Sequence, residues 1–448
     1  MKRNVLLTLS LLVAVCIMTD SVLAQPWTKQ TTPTTQRIRG FKIVNAQVLW
    51  ASGNTGVVLR TRDGGTTWEL RTSPSTGHDI YCIEALDSLT AWAFGTAVGT
   101  TITGDTKIWK TTNGGVTWTE QYQNPDSFAD AIKFFDANNG VAFGDPNLNR
   151  KSVMVIVTTS NGGSTWTQVP AASIPPVDSA ADEVSVSNAC EVIGNSCWFV
   201  TYGNSENINP RVFKSTDRGL TWTASARINF ANSYGFSMKD TNTAVISNIT
   251  SGSIARTSNG WASSDTVLLF TGTYGLRAVD WIPGTNALAI VGGPSAAGMS
   301  ATSTDGGTTW TQQTLPSGVQ RLYVVQFLNP GLGWAAGNAG AILKWTGSPI
   351  VGVSDNAPFV PEGFSLNQNY PNPFNPSTTI AYAIPQSTTV TLKVYDMLGR
   401  EVATLVQADQ VAGSYTVRFD GSSLSSGIYY YKLQAGSFTS TKSLTLVK

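Results

Sequence analysis

Short apolar runs ending in a small residue or glycine recur along most of the chain. They read Val48-Leu49-Trp50-Ala51-Ser52-Gly53, Ala91-Trp92-Ala93-Phe94-Gly95 and Val141-Ala142-Phe143-Gly144. Trp198-Phe199-Val200-Thr201-Tyr202-Gly203, Leu288-Ala289-Ile290-Val291-Gly292 and Gly333-Trp334-Ala335-Ala336-Gly337 continue the series. Runs of this length predict strands and suit inner strands that pack on neighbouring sheets. From Phe364 the pattern changes to strict alternation, at Ile380/Tyr382/Ile384, Val390/Leu392/Val394, Tyr415/Val417/Phe419 and a last run through Leu444 and Leu446. Turn signals at Asp396-Met397-Leu398-Gly399 and Asp420-Gly421 separate those strands, which predicts a small antiparallel β-sandwich. Val351 to Gly363, with Pro358 and Pro361, reads as the linker between the two regions.

A polar motif punctuates the first region. Thr61-Arg62-Asp63-Gly64-Gly65-Thr66-Thr67-Trp68 returns around Asn113, Gly115 and Trp118, then Asn161, Gly163 and Trp166, then Asp217, Gly219 and Trp222, and last Asp305, Gly307 and Trp310. Thr257-Ser258-Asn259-Gly260-Trp261 is a degenerate copy. The spacing of the Asp/Asn positions is about 48 residues, one four-stranded propeller blade per repeat. Each part has a local reason. The Asp or Asn side chain accepts hydrogen bonds from turn amides, the glycine permits a positive φ, and the tryptophan buries its ring between blades.

These copies resemble the Asp-box (BNR) repeat, found in sialidases, xyloglucan-type glycosidases, sortilin-like receptors and photosystem II assembly-factor-like proteins. The arrangement of run plus box is most similar to secreted versions of the last group. The resemblance implies that the boxes lie on hairpins between the third and fourth strands, away from the central pocket. Asp63 and Asp217 are therefore expected to be structural and not catalytic. After Ala341-Ile342-Leu343-Lys344-Trp345 no box follows, whereas Trp27-Thr28-Lys29-Gln30 echoes the strands that follow the boxes. A ring must close, because an open sheet edge is a liability. Residues 26–32 are thus expected to complete the final blade of seven.

The ends carry address information. Lys2 and Arg3, the apolar run Val5 to Val15 and the small residues of Val22-Leu23-Ala24 predict a signal peptide over 1–24. A transmembrane anchor would need about 20 apolar residues, and Thr8, Ser10 and Asp20 interrupt this stretch. Val15 disfavours a lipoprotein site at Cys16. The domains expected are a propeller over 25–348, a linker over 349–363 and a sorting domain over 364–448. The last rests on Tyr370-Pro371-Asn372-Pro373-Phe374, then Gly399-Arg400 within the Val394–Val402 block, then Gly427-Ile428-Tyr429-Tyr430-Tyr431. In that order the blocks resemble the type A C-terminal sorting domain of the type IX secretion system. The resemblance implies the secretion machinery as partner and delivery to the cell surface or medium. The alternative is a plain immunoglobulin-like adhesive domain.

Composition narrows the chemistry. The whole chain is all-β in character, with 13% charged residues, 42 glycines and a net charge of +1. Loss of residues 1–24 removes Lys2, Arg3 and Asp20 and leaves the chain neutral. That lacks the basic footprint for nucleic acid. The single histidine, His78, sits in a polar Ser-Thr-Gly-His-Asp stretch and reads as a surface residue. No cofactor or metal centre is suggested. Cys190 and Cys197 flank an apparent hairpin turn, so a bridge between them and two small buried thiols are both open. A sialidase-like site would need an Arg-Ile-Pro motif, and Arg37-Ile38-Arg39-Gly40 lacks the proline. A glycosidase needs two facing carboxylates. Glu69, Glu84, Asp145, Asp178, Asp182 and Glu183 are present, but no spacing singles out a pair. Asp145, in Phe143-Gly144-Asp145-Pro146, is the single weak catalytic candidate, with an ordinary turn residue as its alternative. A non-catalytic propeller binding an extracellular protein or glycan and a polysaccharide-degrading enzyme both remain.

Overall fold

The computed structural model describes residues 25–98, 105–146, 152–203, 209–270, 275–351, 363–369, 371–410 and 413–447. The signal segment 1–24, most of the linker and Tyr370 lie outside them. The chain divides between residues 352 and 353 into two compact units.

The first unit holds seven four-stranded antiparallel sheets, here blades 1 to 7. Their innermost strands are Ile38–Ile43, His78–Ala85, Ala129–Phe134, Glu183–Ile193, Ser233–Met238, Leu276–Trp281 and Leu322–Asn329. Each packs beside the next, and the last packs beside the first, so the ring is closed. Six blades follow chain order. Blade 7 takes its outer strand, Trp27–Lys29, from the other end of the unit, paired with Ile342–Trp345.

The apolar runs singled out in the sequence are the second strands of the blades, such as Leu49–Gly53, Gly140–Gly144 and Leu288–Gly292, each buried along its whole length. They are not the strands that line the axis. A strand sandwiched by blades on both faces must be apolar throughout. The innermost strands line the central cavity and carry arginines, lysines and tyrosines, which weakens their hydrophobic signal.

Every box adopts one geometry at the hairpin before the outer strand. In the first, Thr61 Oγ1 donates to Asp63 Oδ1 at 2.8 Å, and Thr67 donates its backbone N–H to Asp63 Oδ1 and its hydroxyl to Oδ2. Gly65 N–H in turn donates to Thr61 Oγ1 at 3.0 Å. The same backbone contacts form around Asn113, Asn161, Asp217, Asn259 and Asp305, and in the asparagine copies Nδ2 donates to the Thr or Ser hydroxyl in place of the hydroxyl donating to Oδ2. The threonine hydroxyl and amide beside Asp63 hold its carboxyl down at about 2. In the degenerate copy Trp261 itself takes the glycine position, with φ +71°.

The glycine is required by close approach as well as by φ. A Cβ at Gly163 would lie 2.5 Å from Trp92 Nε1 of the preceding blade. The box tryptophans are less uniform than expected. Trp68 and Trp222 are buried, but Trp118, Trp166 and Trp310 are half-buried. They stand beside their boxes, partly open to solvent. Trp118, for example, packs edge-on to Trp50 and donates its N–H to Thr72 O.

The expected alternative of a Cys190–Cys197 bridge is excluded: Cys82, Cys190 and Cys197 are all free and buried. Cys197 lies opposite Val192, and Cys190 opposite Phe199. The two cysteines are therefore diagonal neighbours, roughly 7–8 Å apart by sheet geometry, beyond the reach of a bridge. His78 is also not a surface residue. It begins the innermost strand of blade 2, is buried, and packs edge-on to Trp109 at 5.0 Å. Burial lowers its pKa, against the pull of Asp105.

The second unit is a sandwich of a three-stranded and a four-stranded sheet. Ile380, Tyr382, Ile384 and Phe419 from one sheet meet Val390, Leu392, Val394, Leu433 and Leu444 from the other in a single core.

Candidate functional site

Within each blade the start of the innermost strand lies beside the end of the second strand, as Ile38 does beside Gly53. The boxes follow the third strands and so lie at the opposite end. At the box-free mouth the ladder is broken in every blade. The irregularity falls at Arg39, Tyr81, Asp130, residues 186–189, Tyr234-Gly235, Arg277 and Tyr323 in blades 1 to 7 in turn. Bulges re-aim side chains and accumulate beside functional sites. Here seven of them ring one mouth of the channel.

The ring has a basic, aromatic side. The Arg277 guanidinium lies 4.7 Å from the Tyr234 ring centre and 5.7 Å from that of Tyr323. Arg37 covers the same Tyr323 at 5.0 Å, and Arg39 covers Tyr81 at 4.5 Å. Asn338 and Asn54 accept from Arg37 Nε and Arg39 Nε and orient both side chains. Arg277 Nε is enclosed and makes no hydrogen bond. Among the described residues none of these three arginines has a carboxylate partner.

The opposite side is acidic. Asp130 is buried and hydrogen-bonded to Asp145. Across the seam, Ser185 Oγ and Ser187 Oγ of blade 4 donate to Asp130 Oδ2 and Oδ1, and Ser185 N–H donates to Asp145 Oδ1 at 3.0 Å. Burial pushes both carboxyls up. Asp130 rises well above the carboxylate range, with Asp145 repelling it, and Asp145 rises to about 7. Both carboxyls therefore hold their protons to a higher pH than an exposed carboxylate does. Asp145 is thus neither a lone acid nor an ordinary turn residue; its partner Asp130 was not legible in the sequence.

These serines anchor the bulge 186–189 of blade 4, where five steps along one strand match two along its partner. Asn188, with φ +62°, donates from Nδ2 to Arg39 O and Tyr81 O of blades 1 and 2. Beneath it lies a cavity of about 260 Å³ lined by all seven innermost strands. Lys42 pairs with Glu84. Burial works against the charge on Lys133, but Glu191 and Glu84 hold its pKa above the ordinary value. Burial raises Glu191 and, with repulsion from Glu191, Asp280, whose Oδ2 accepts from Phe327 N–H at 2.6 Å.

Three more of the acids weighed in the sequence serve as ion-pair partners. Glu69 holds Arg60, Arg62 and Arg71, Glu183 holds Arg211, and Asp178 holds Arg227. In the second unit the expected sorting residues divide. Phe374, Tyr429 and Tyr431 are core, and Tyr431 OH donates to Asn367 O. Asn372 Oδ1 accepts from Thr445 N–H and Pro371 O from Thr378 Oγ1, which ties the Pro371–Phe374 segment to the sandwich. Gly399 has φ +78° in the turn that leads to Arg400, and Gly427 opens the strand Gly427–Ala435.

Fold and site together define a closed β-propeller with a polar, bulge-lined channel mouth, joined to a β-sandwich. Residues 368–447 match the secretion system C-terminal sorting domain family, so the second unit is a sorting domain. No curated protein matches the chain by sequence. Among solved structures, YCF48 from Cyanidioschyzon merolae is similar at TM-score 0.57 and 19% identity, over 72% of this chain and 99% of that one. YCF48 bound to D1 peptide gives 0.53 and 19%, over 72% and 97%. The GH74 enzyme of Niastella koreensis gives 0.51 and 13%, over 95% and 75%. Likeness at these identities concerns the fold.

Proposed function

We propose that this chain is an exported, non-catalytic binding propeller that holds a carboxylate-bearing partner at the bulge-lined mouth. Residues 1–24 are removed as a signal peptide, 25–348 form the binding unit, 349–363 link, and 364–448 direct passage through the type IX secretion machinery. The observation that carries the binding reading is the trio Arg37, Arg39 and Arg277, half-buried on tyrosine faces and without carboxylate partners among the described residues. Guanidinium groups fixed in this way favour a planar anion. One of the similar propellers is bound to a peptide, which makes an extended peptide the first ligand to try; acidic glycans are the second.

An extracellular glycosidase is the competing reading, and GH74 enzymes share the fold. In its favour Asp145 has the raised pKa of a general acid. Against it, Asp145 is hydrogen-bonded directly to Asp130. Glycosidases hold their two carboxyls about 5–10 Å apart, leaving room for sugar or water. The test is to screen the mature protein on acidic peptides and uronic-acid glycans while assaying reducing-sugar release. Retention without release supports the proposal; release that Asp145→Asn abolishes overturns it.

A further inference from the structure

The sorting domain separates its sequence blocks into a buried part and a displayed part. Phe374, Tyr429 and Tyr431 are buried and account for themselves as core. Other members of the same blocks do not. Met397 and Leu398 are 69% and 78% exposed at the tip of the hairpin joining strands Thr388–Tyr395 and Glu401–Gln410. Asp396 holds that tip rigid, because its carboxylate accepts from Leu398 N–H and Arg400 N–H and pairs with Arg400 Nε.

Strand register brings further apolar groups to this corner. Tyr395 lies directly opposite Tyr430, and Ile428 precedes Tyr430 by two residues on the same outward face. Ile428 and Tyr430 are themselves 45% and 41% exposed. Next along the same face Lys393 lies directly opposite Lys432. Like charges placed opposite one another in a ladder are destabilising. Lys393 has Glu401, but Lys432 has no ion-pair partner among the described residues. An ordered apolar corner flanked by Lys432, whose charge has no ion-pair partner among the described residues, marks an interaction surface.

We propose that Tyr395, Met397, Leu398, Ile428 and Tyr430 form the contact by which a protein of the secretion machinery reads this domain, in an apolar pocket with an acidic rim. The inference rests on the reading of 364–448 as a secretion address. A protein pocket fits better than a membrane because the apolar groups are few and held in one geometry by Asp396, which suits shape recognition and not insertion depth.

The test uses the full chain in a host competent for type IX secretion. Met397→Ser with Leu398→Ser, and separately Tyr430→Ser, should lower the fraction reaching the surface or medium about tenfold. The protein should accumulate in the periplasm with an unchanged unfolding midpoint. Thr439→Asp, on the same face at the far end of the sheet, should export normally. Normal export of the corner variants, or equal loss in the Thr439 control, overturns the proposal. So does corner-dependent binding of the purified chain to phosphatidylglycerol vesicles, or a dimer in light scattering that the variants abolish. Truncation after Ser348 separates the two ideas. If the truncated chain still reaches the surface, the address reading itself fails; if it is retained while the corner variants export, only the corner assignment fails.

Discussion

Trp27 lies directly opposite Trp345 across the seam of blade 7, with the two rings edge to face at 5.1 Å. Residues more than three hundred positions apart thus close the ring as a ladder pair. Trp27 is 1% exposed and donates its N–H to Ser300 Oγ of blade 6. The seam is therefore sealed by packing as well as by ladder hydrogen bonds.

Trp27→Ala removes the ring packing and the indole N–H bond to Ser300 and leaves the backbone ladder in place. It should lower stability in chemical denaturation by about 3–5 kcal/mol, and deletion of residues 25–32 should expose the Ile342–Trp345 edge and promote aggregation. A loss under about 1 kcal/mol, at the low end of what any point substitution costs, contradicts a closing role for this strand.

Gly163→Ala tests the box geometry without touching the channel. The added Cβ meets Trp92 Nε1, and φ +80° is unfavourable for alanine. The variant should lose about 1–3 kcal/mol, with ligand retention unchanged in the folded fraction. A neutral effect would show that box and neighbouring blade are not in close contact.

The repeat was legible because the box needs particular residue types at fixed offsets within one hairpin. The same holds for the sorting blocks. The mouth was not legible, because it depends on register between strands. Asp145 could be picked out as an acid after a strand, but its partner Asp130 is a bulge residue on another strand. Arg39, Tyr81, Asp130 and Arg277 share a position in their blades but not one residue type, so no repeat reveals them. The cysteine spacing marked a hairpin but left open whether the thiols bridge, because that depends on register, which leaves the two thiols diagonal. His78 looked like loop because three polar residues precede it, although Ile80, Cys82 and Ile83 behind it are strand.

The Asp130–Asp145 pair makes a signed prediction for pH. A carboxyl raised in the folded state binds a proton there that the unfolded chain has already lost. Its stabilising contribution is complete below about pH 4, near the unfolded carboxylate value, and falls as pH rises toward the folded value of about 7. Asp145→Asn removes this dependence. Relative to wild type the variant should gain in unfolding midpoint between pH 5 and pH 8. A constant difference across that range would mean that burial does not raise the Asp145 carboxyl.

Binding at the arginine-rich mouth is tested most directly by calorimetric titration of the mature protein with an acidic peptide retained in the screen, in free-acid and amidated forms. Arg277→Ala is titrated alongside. The account predicts that neutralising the carboxylates weakens binding about tenfold or more, the range of a charge-assisted contact. Arg277→Ala should cause a similar loss, and the two losses should not add. Equal affinity for both forms, or full affinity in Arg277→Ala, would contradict it.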